Sequence, residues 1–309
     1  MSIERLTGEL RRFGSGLAGT APRTGALLER FAEDIERGGP VGALLVGHHA
    51  AGAPLFAMRA LAAAHQLSLT GRAAGLTSSL AGPERDIWPA VSAAMLANAD
   101  YVVAALERPV QQTGPRRSAA LVRGLSMLGA RRVRLLEIGA CAGINLAFDR
   151  FHWQGPGWEW GDPASPVRLA AEGSRPNGME IVERLGCDLD PRDPRDPADV
   201  LILRSFVPPE HTIERRELDA ALTVVAGLDI RVERASAAEW LRSVLSRPAD
   251  PDVYTVVWHS MVWHYLDNDE QNAIDAIFTA ASASMPLARV SYEPSQWSAR
   301  QRIGLTIFS

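Results

Sequence analysis

The chain has 309 residues, 47% of them apolar, enough to bury one or two cores, and 32 basic against 36 acidic side chains leave a formal charge of −4. Every basic residue is arginine, interspersed with acids rather than gathered into a stripe, which argues against a nucleic-acid partner. Without lysine, Schiff-base chemistry, a pyridoxal cofactor and the lysine-bearing phosphate loop are excluded, and two cysteines, Cys141 and Cys187, are too few for a thiolate metal cluster or a disulfide framework.

The first ten residues carry Glu4, Arg5 and Glu9 where a signal peptide would place its apolar stretch. No run approaches the ~18 apolar residues of a membrane span, so a cytoplasmic protein with no membrane partner is expected. From Ile3 to about residue 130, alanine and leucine recur at three- and four-residue spacing in 25–35, 54–66, 87–106 and 118–128, divided by Gly38–Pro40, Gly82–Pro83 and Gly114–Pro115. This pattern predicts a helical N-terminal domain over 1–130. His48, His49 and His65 fall in its apolar segments and read as core or surface histidines.

The character changes at Arg132. Val133–Ile138 is a short apolar run that stops at Gly139, and a helix is predicted through Asn145 to Phe151. Further strands are predicted to end at 186–188, near 229–233 and at 253–258, with helices at 214–226, 237–245 and 269–281. Strands alternating with helices predict an α/β domain with a doubly wound, mostly parallel sheet, so 131–309 reads as a Rossmann-like nucleotide-binding domain. A Trp-, Gly- and Pro-rich insertion at 151–177 is too long for an ordinary connection and is expected to form a hairpin or lid. Its Trp158 and Trp160 are candidate substrate contacts, against the plainer reading that they pack the insertion. Residues 190–199 read as a surface loop rich in Pro and Asp. After a fifth strand at 288–293 only 302–308 remains for another, so a sheet lacking its last strand is one expected outcome.

Glu137-Ile138-Gly139-Ala140-Cys141-Ala142-Gly143 stands where a strand passes to a helix, the crevice at which doubly wound folds bind nucleotides. A dinucleotide fingerprint would have glycine in place of Cys141, and an acid before its first glycine would repel a pyrophosphate. The same acid attracts a cation, and S-adenosylmethionine carries a sulfonium and an ammonium but no phosphate. Glu137, Gly139, Ala140, Gly143 and Asn145 are therefore predicted to hold this cofactor. Asp188, ending the next strand, is predicted to accept ribose hydroxyls; it lies 45 positions after Gly143, against roughly 20 in the usual arrangement. The insertion accounts for the excess, and Asp190 is the alternative. Ser236, at a later strand-to-helix turn, is either an adenine contact or a helix N-cap. Beyond the fourth strand, His259 is the candidate catalytic base, its alternative a buried histidine bonded to backbone. Ser260 and Trp263 beside it are candidate cofactor and substrate contacts, His264 and Tyr265 read as packing, and Asp267 with Glu270 has capping-box spacing. No metal is expected, because His259 and His264 are five apart, the wrong interval for one helix face.

In order, Leu135–Gly143, Asp188, Ala235–Trp240 and His259–Leu266 resemble the motifs of class I S-adenosylmethionine-dependent methyltransferases. Over most of its length the chain is also similar to a bacterial family of unknown function that has a methyltransferase-like core behind a helical segment. The similar stretches are 52–56, 137–151 with Asn145 and Asp149, Gly161-Asp162-Pro163, 186–191 and 259–265. Where that family has an Asn-Glu pair, this chain has Thr113 and Gly114, which leaves Arg117 as the polar match for a substrate contact. The resemblance implies S-adenosylmethionine as cofactor and methyl transfer to an unidentified small molecule, the alternative being a non-catalytic nucleoside-binding protein of the same fold. A nicotinamide-dependent oxidoreductase is disfavoured by the acid before Gly139.

Overall fold

The structure, a computed structural model, describes residues 2–47, 52, 55–82, 86–176, 178–295 and 298–308. The chain divides into two compact units, Met1–Gln112 with Asp196–Arg216, and Thr113–Arg195 with Glu217–Ser309. His48 and His49 lie outside the described residues.

The first unit is helical, with α1 (Ile3–Leu17), α2 (Pro22–Glu36), α3 (Pro40–Val46), α4 (Phe56–Leu69), α5 (Ala74–Ala81), α6 (Trp88–Ala97) and α7 (Ala99–Leu106). Proline at the first position opens α2 and α3, where a missing N–H costs nothing. Ala21 cannot cap α2 with its side chain; Glu210 does so from far along the chain, accepting from the Arg23 and Thr24 N–H groups and the Thr24 hydroxyl. The single helix expected over 87–106 is two, bent by 94° at Asn98, whose side-chain amide donates to the Ala94 carbonyl. No single helix among the described residues is long and apolar enough to cross a membrane. Leu10, Leu28, Phe31, Leu45, Phe56 and Leu67 form the middle of this unit's core.

In the second unit α8 (Ser118–Leu128) precedes β1 (Arg132–Ile138). The insertion folds into β2 (His152–Gly155) and β3 (Trp158–Gly161), an antiparallel hairpin, with β4 (Arg168–Ala170) parallel to β2. Then come β5 (Glu180–Asp188), α9 (Pro197–Ser205), α10 (Thr212–Ala226), β6 (Arg231–Arg234), α11 (Ala237–Leu245), β7 (Tyr254–Ser260), α12 (Asn268–Ser282), β8 (Leu287–Ser295) and β9 (Ser298–Phe308). Of these, α9 belongs to the first unit. Residues 197–199, expected in a loop, begin this helix because Asp196 accepts from the Ala198 N–H ahead of Pro197 at the first position.

The fold is mixed α/β, with a six-stranded sheet in the order β6-β5-β1-β7-β8-β9. All neighbours are parallel except β8 and β9, so the last stretch of chain supplies an antiparallel edge. Counted along the chain these six run 3-2-1-4-5-6 across the sheet, and the direction of winding reverses between β1 and β7. Leu136, Ile138, Trp240, Val257, Ile274 and Phe278 belong to the core beside the sheet.

One predicted element is corrected. The segment after the β1 turn is a 3-10 turn, Asn145–Arg150, not an α-helix. Cys141 and Gly143 have positive φ, Leu146 and Ala147 bond back only three residues, and the chain leaves at Phe151 into β2, so no long helix can start there.

Candidate functional site

Parallel register sets Glu137 beside Trp258 and Ile138 beside His259, on β1 and β7. On the other side of β1, Ile138 pairs with Cys187, one residue before Asp188. The turn that follows is held from β5: the Cys141 N–H donates to Asp188 Oδ2 at 2.9 Å, and the Cys141 carbonyl accepts from the Arg192 N–H at 3.1 Å. Cys141 has φ +56°, and Met261, just past β7, has φ +57°. A side chain in that region costs about 1–2 kcal/mol, and such positions gather where surrounding structure enforces them for use. Gly139 and Gly143 have φ +67° and +74°; a Cβ there would lie 2.7 Å from Val262 Cγ2 and 2.8 Å from Ile230 Cγ2. Both glycines therefore meet a need internal to the chain, a turn conformation and close packing.

Glu137 is 1% exposed. Its Oε1 accepts from Asn145 Nδ2 at 2.9 Å, and Asn145 Oδ1 in turn accepts from the Ser118 hydroxyl at 2.8 Å. Burial pushes the Glu137 carboxyl up to about 8, against the opposing pull of Asn145, Trp258 and Arg117. Neither Glu137 Oε2 nor Trp258 Nε1 closes a hydrogen bond of ordinary geometry. Near neutral pH this side chain is mainly a neutral acid, so the attractive charge expected of it exists only when a cation comes close enough to displace the proton.

His259 is 2% exposed, and its Nδ1 lies 2.7 Å from Glu293 Oε1. The same oxygen accepts from the Val262 and Trp263 N–H groups at 3.1 and 3.2 Å, and Trp263 stacks on the imidazole at 5.1 Å between centroids. Burial would raise the Glu293 carboxyl, but the hydrogen bonds from His259 and the Val262 N–H, with the His264 imidazole 3.6 Å away, hold it down at about 2. An ionised Glu293 only accepts, so Nδ1 bears a hydrogen and donates it to the carboxylate. His259 Nε2 is buried without a hydrogen-bond partner. Sequence reasoning missed Glu293. It ends the strand predicted at 288–293, but nothing in the spacing says that this strand lies next in the sheet to the one that carries His259.

A family of uncharacterised proteins conserved in bacteria, DUF2332, has a model that matches residues 8–309. The chain belongs to the DUF2332 family. No curated protein matches it.

The remaining predicted positions of this DUF2332 chain fall into two groups. Near the strand ends, Asp188 Oδ1 accepts from the Asp190 N–H, Ala140 donates its N–H to the Cys187 carbonyl, and Ser260 is buried at the end of β7. Arg117 makes no hydrogen bond or ion pair among the described residues; burial lowers its guanidinium, with Cys141, Tyr265, Glu137 and Glu293 acting the other way. Trp263 lies between His259 and the Arg289 guanidinium. The others have structural partners. Ser236 caps α11, accepting from the Glu239 N–H; Asp190 pairs with Arg192 and Arg234; Trp158 donates to the Gly173 carbonyl; and Trp160 packs on Phe148 at 5.6 Å. Asp149 pairs with Arg184 at 2.6 Å. Asp267 caps α12, while Glu270 turns to the Ala238 N–H instead of closing the expected box.

Proposed function

We propose that this protein is an S-adenosylmethionine-dependent methyltransferase acting on a small molecule, its sheet Rossmann-like and its donor held where β1, β5 and β7 end. The reading is carried by His259 and Glu293: an imidazole oriented by an ionised carboxylate, with its outer nitrogen unpartnered, one strand from the β1 turn at the reversal point of the sheet.

The residues at the turn fit the donor in two respects. Asp188, whose two oxygens accept the Cys141 and Asp190 N–H groups, ends β5 beside the turn, where nucleotide folds place the carboxylate that accepts ribose hydroxyls. Glu137 Oε2 is a buried polar atom without a partner, which on ionisation becomes an acceptor suited to an ammonium or sulfonium. When bound, S-adenosylmethionine supplies an electrophilic methyl carbon. Glu137 gives up its proton as the cation arrives, because a nearby positive charge favours the ionised carboxyl. His259 Nε2 accepts the proton of the acceptor O–H or N–H, Glu293 stabilises the imidazolium that results, and Trp263 fixes the plane of the ring. Arg117, with no ion pair among the described residues, serves as the substrate contact, and most of the rate comes from positioning.

Isothermal titration of S-adenosylmethionine and its demethylated product, in buffers of unlike ionisation heat at pH 6 and pH 8, tests the reading. Binding accompanied by proton release at pH 6, absent in Glu137→Gln, is expected; no heat up to millimolar ligand discards it. A second reading, a non-catalytic binder of the same nucleoside, is favoured by Val262 packed on Gly139 and by the burial of His259. Tight binding with no methyl transfer across a metabolite panel selects it.

A further inference from the structure

The helical unit contains a cavity of about 170 Å³. Protein interiors hold few voids larger than a water molecule, and a cavity of about 150 Å³ lined by Leu, Ile and Phe stays dry and takes up benzene or xenon. The walls here are of that kind, with Phe13, Leu27, Leu76, Ile87 and Phe206 among them. Phe13 and the neighbouring Leu17, Leu61 and Leu80 are only partly buried, so apolar surface faces the space instead of being packed. Gln112, an exposed residue, also lines it and marks a way in.

We propose that this cavity binds a small uncharged molecule about the size of one aromatic ring, carrying at most one O–H or N–H. Charge is disfavoured because no Asp, Glu or Arg among the described residues lines the space, and the one titratable side chain among them there, His65, is kept neutral by burial, with Nδ1 against the Ser205 carbonyl at 3.2 Å. An ion entering would lose its hydration with no partner to replace it. The allowance for one donor follows from the lining hydroxyls. Thr24 already donates to Glu210, and Ser205 donates to the Ile202 carbonyl while accepting from Gln66. What these oxygens have left is a lone pair, so they can accept from a ligand but not donate to it. This site is independent of the methyltransferase reading.

Saturation-transfer NMR on the full chain, with toluene, phenol, benzoate and benzylammonium as separate probes, tests the proposal. Toluene and phenol are expected to bind, and the two ions at least about tenfold more weakly, a gap of about 1.4 kcal/mol. Ala64→Met, which puts a long side chain into the space from α4, is expected to abolish binding of both neutral probes. Gln112→Trp, at an exposed position, blocks the entrance without altering the core and decides the matter if the first variant misfolds. Absence of binding by all four probes, equal binding of the ions, or wild-type affinity in a folded Gln112→Trp overturns the proposal.

Discussion

Among the described residues of the helical unit the buried polar side chains are uncharged: Thr7, Thr24, Gln66, Gln111, Ser205 and a neutral His65. Among those of the sheet unit lie the ionisable Arg134, Glu137, His152 and His259 as well. A charge taken out of water is costly unless paired, so the sheet unit, which buries an arginine and a glutamate as well as histidines, carries more of that cost than the helical unit, whose buried His65 stays neutral. Arg134 has an ordinary structural explanation, since it pairs with Glu183 and donates to the Val244 carbonyl. Glu137 and His259 each keep one polar atom without a partner, near the ends of neighbouring strands, Glu137 opposite Trp258 and His259 opposite Ile138. Unpartnered polar atoms on ionisable side chains at the ends of β1 and β7 are what mark this end of the sheet as a candidate site.

The contrast can be broken or sharpened by experiment. Phe31→Ala, in the middle of the helical core, is expected to cost about 4 kcal/mol in chemical denaturation, with little effect on nucleoside binding by the sheet unit. A parallel loss of binding would show that the two units do not keep separate accounts.

Glu137 makes the sheet unit sensitive to alkali. Its folded pKa, about 8, lies above the ordinary carboxyl value of 4.5, so its contribution to stability is complete below 4.5 and is lost as pH rises towards 8. Across that window the wild type should lose about 1.4 kcal/mol per pH unit relative to Glu137→Gln, measured as the difference between two denaturation series. A difference that stays flat with pH contradicts the burial argument.

His65 gives the helical unit the opposite sensitivity over a narrower range. Its folded pKa, about 4, lies below 6.5, so stability is complete above 6.5 and declines as pH falls to about 4. Relative to His65→Gln, the wild type should weaken by up to about 1.4 kcal/mol per unit on acidification. The smallest effect is expected of Ser236→Ala, about 1 kcal/mol for the lost α11 cap, with S-adenosylmethionine affinity unchanged. A fall in affinity would return Ser236 to adenine contact.

Much of this architecture is legible in the bare sequence because its signals are local. Apolar periodicity marks α2, α4 and α8, short β-branched runs mark β1 and β7, and the Trp-rich stretch is indeed a hairpin with a third strand added. What is not legible depends on distant partners. Glu210 capping α2 is 187 residues from Arg23, and Glu293 is 34 residues from His259, separations at which spacing carries no information. The glycines at 139 and 143 show the converse limit. Their presence is readable, but whether a ligand or Val262 and Ile230 occupies the space beside them is settled only by packing. The protonation of Glu137 is hidden for the same reason, since a letter in a sequence carries no burial.

The return of residues 196–216 to the helical unit bears on how the protein is made. As the chain leaves the ribosome, α1 to α7 emerge with the first turn of α2 still lacking its carboxylate and with the α4 face that α9 covers still bare. That half-built assembly must wait while β1 to β5 are synthesised, and only when Glu210 appears can it lock. A fragment cut at residue 112 would preserve this waiting state permanently, an exposed apolar intermediate of the sort that chaperones hold.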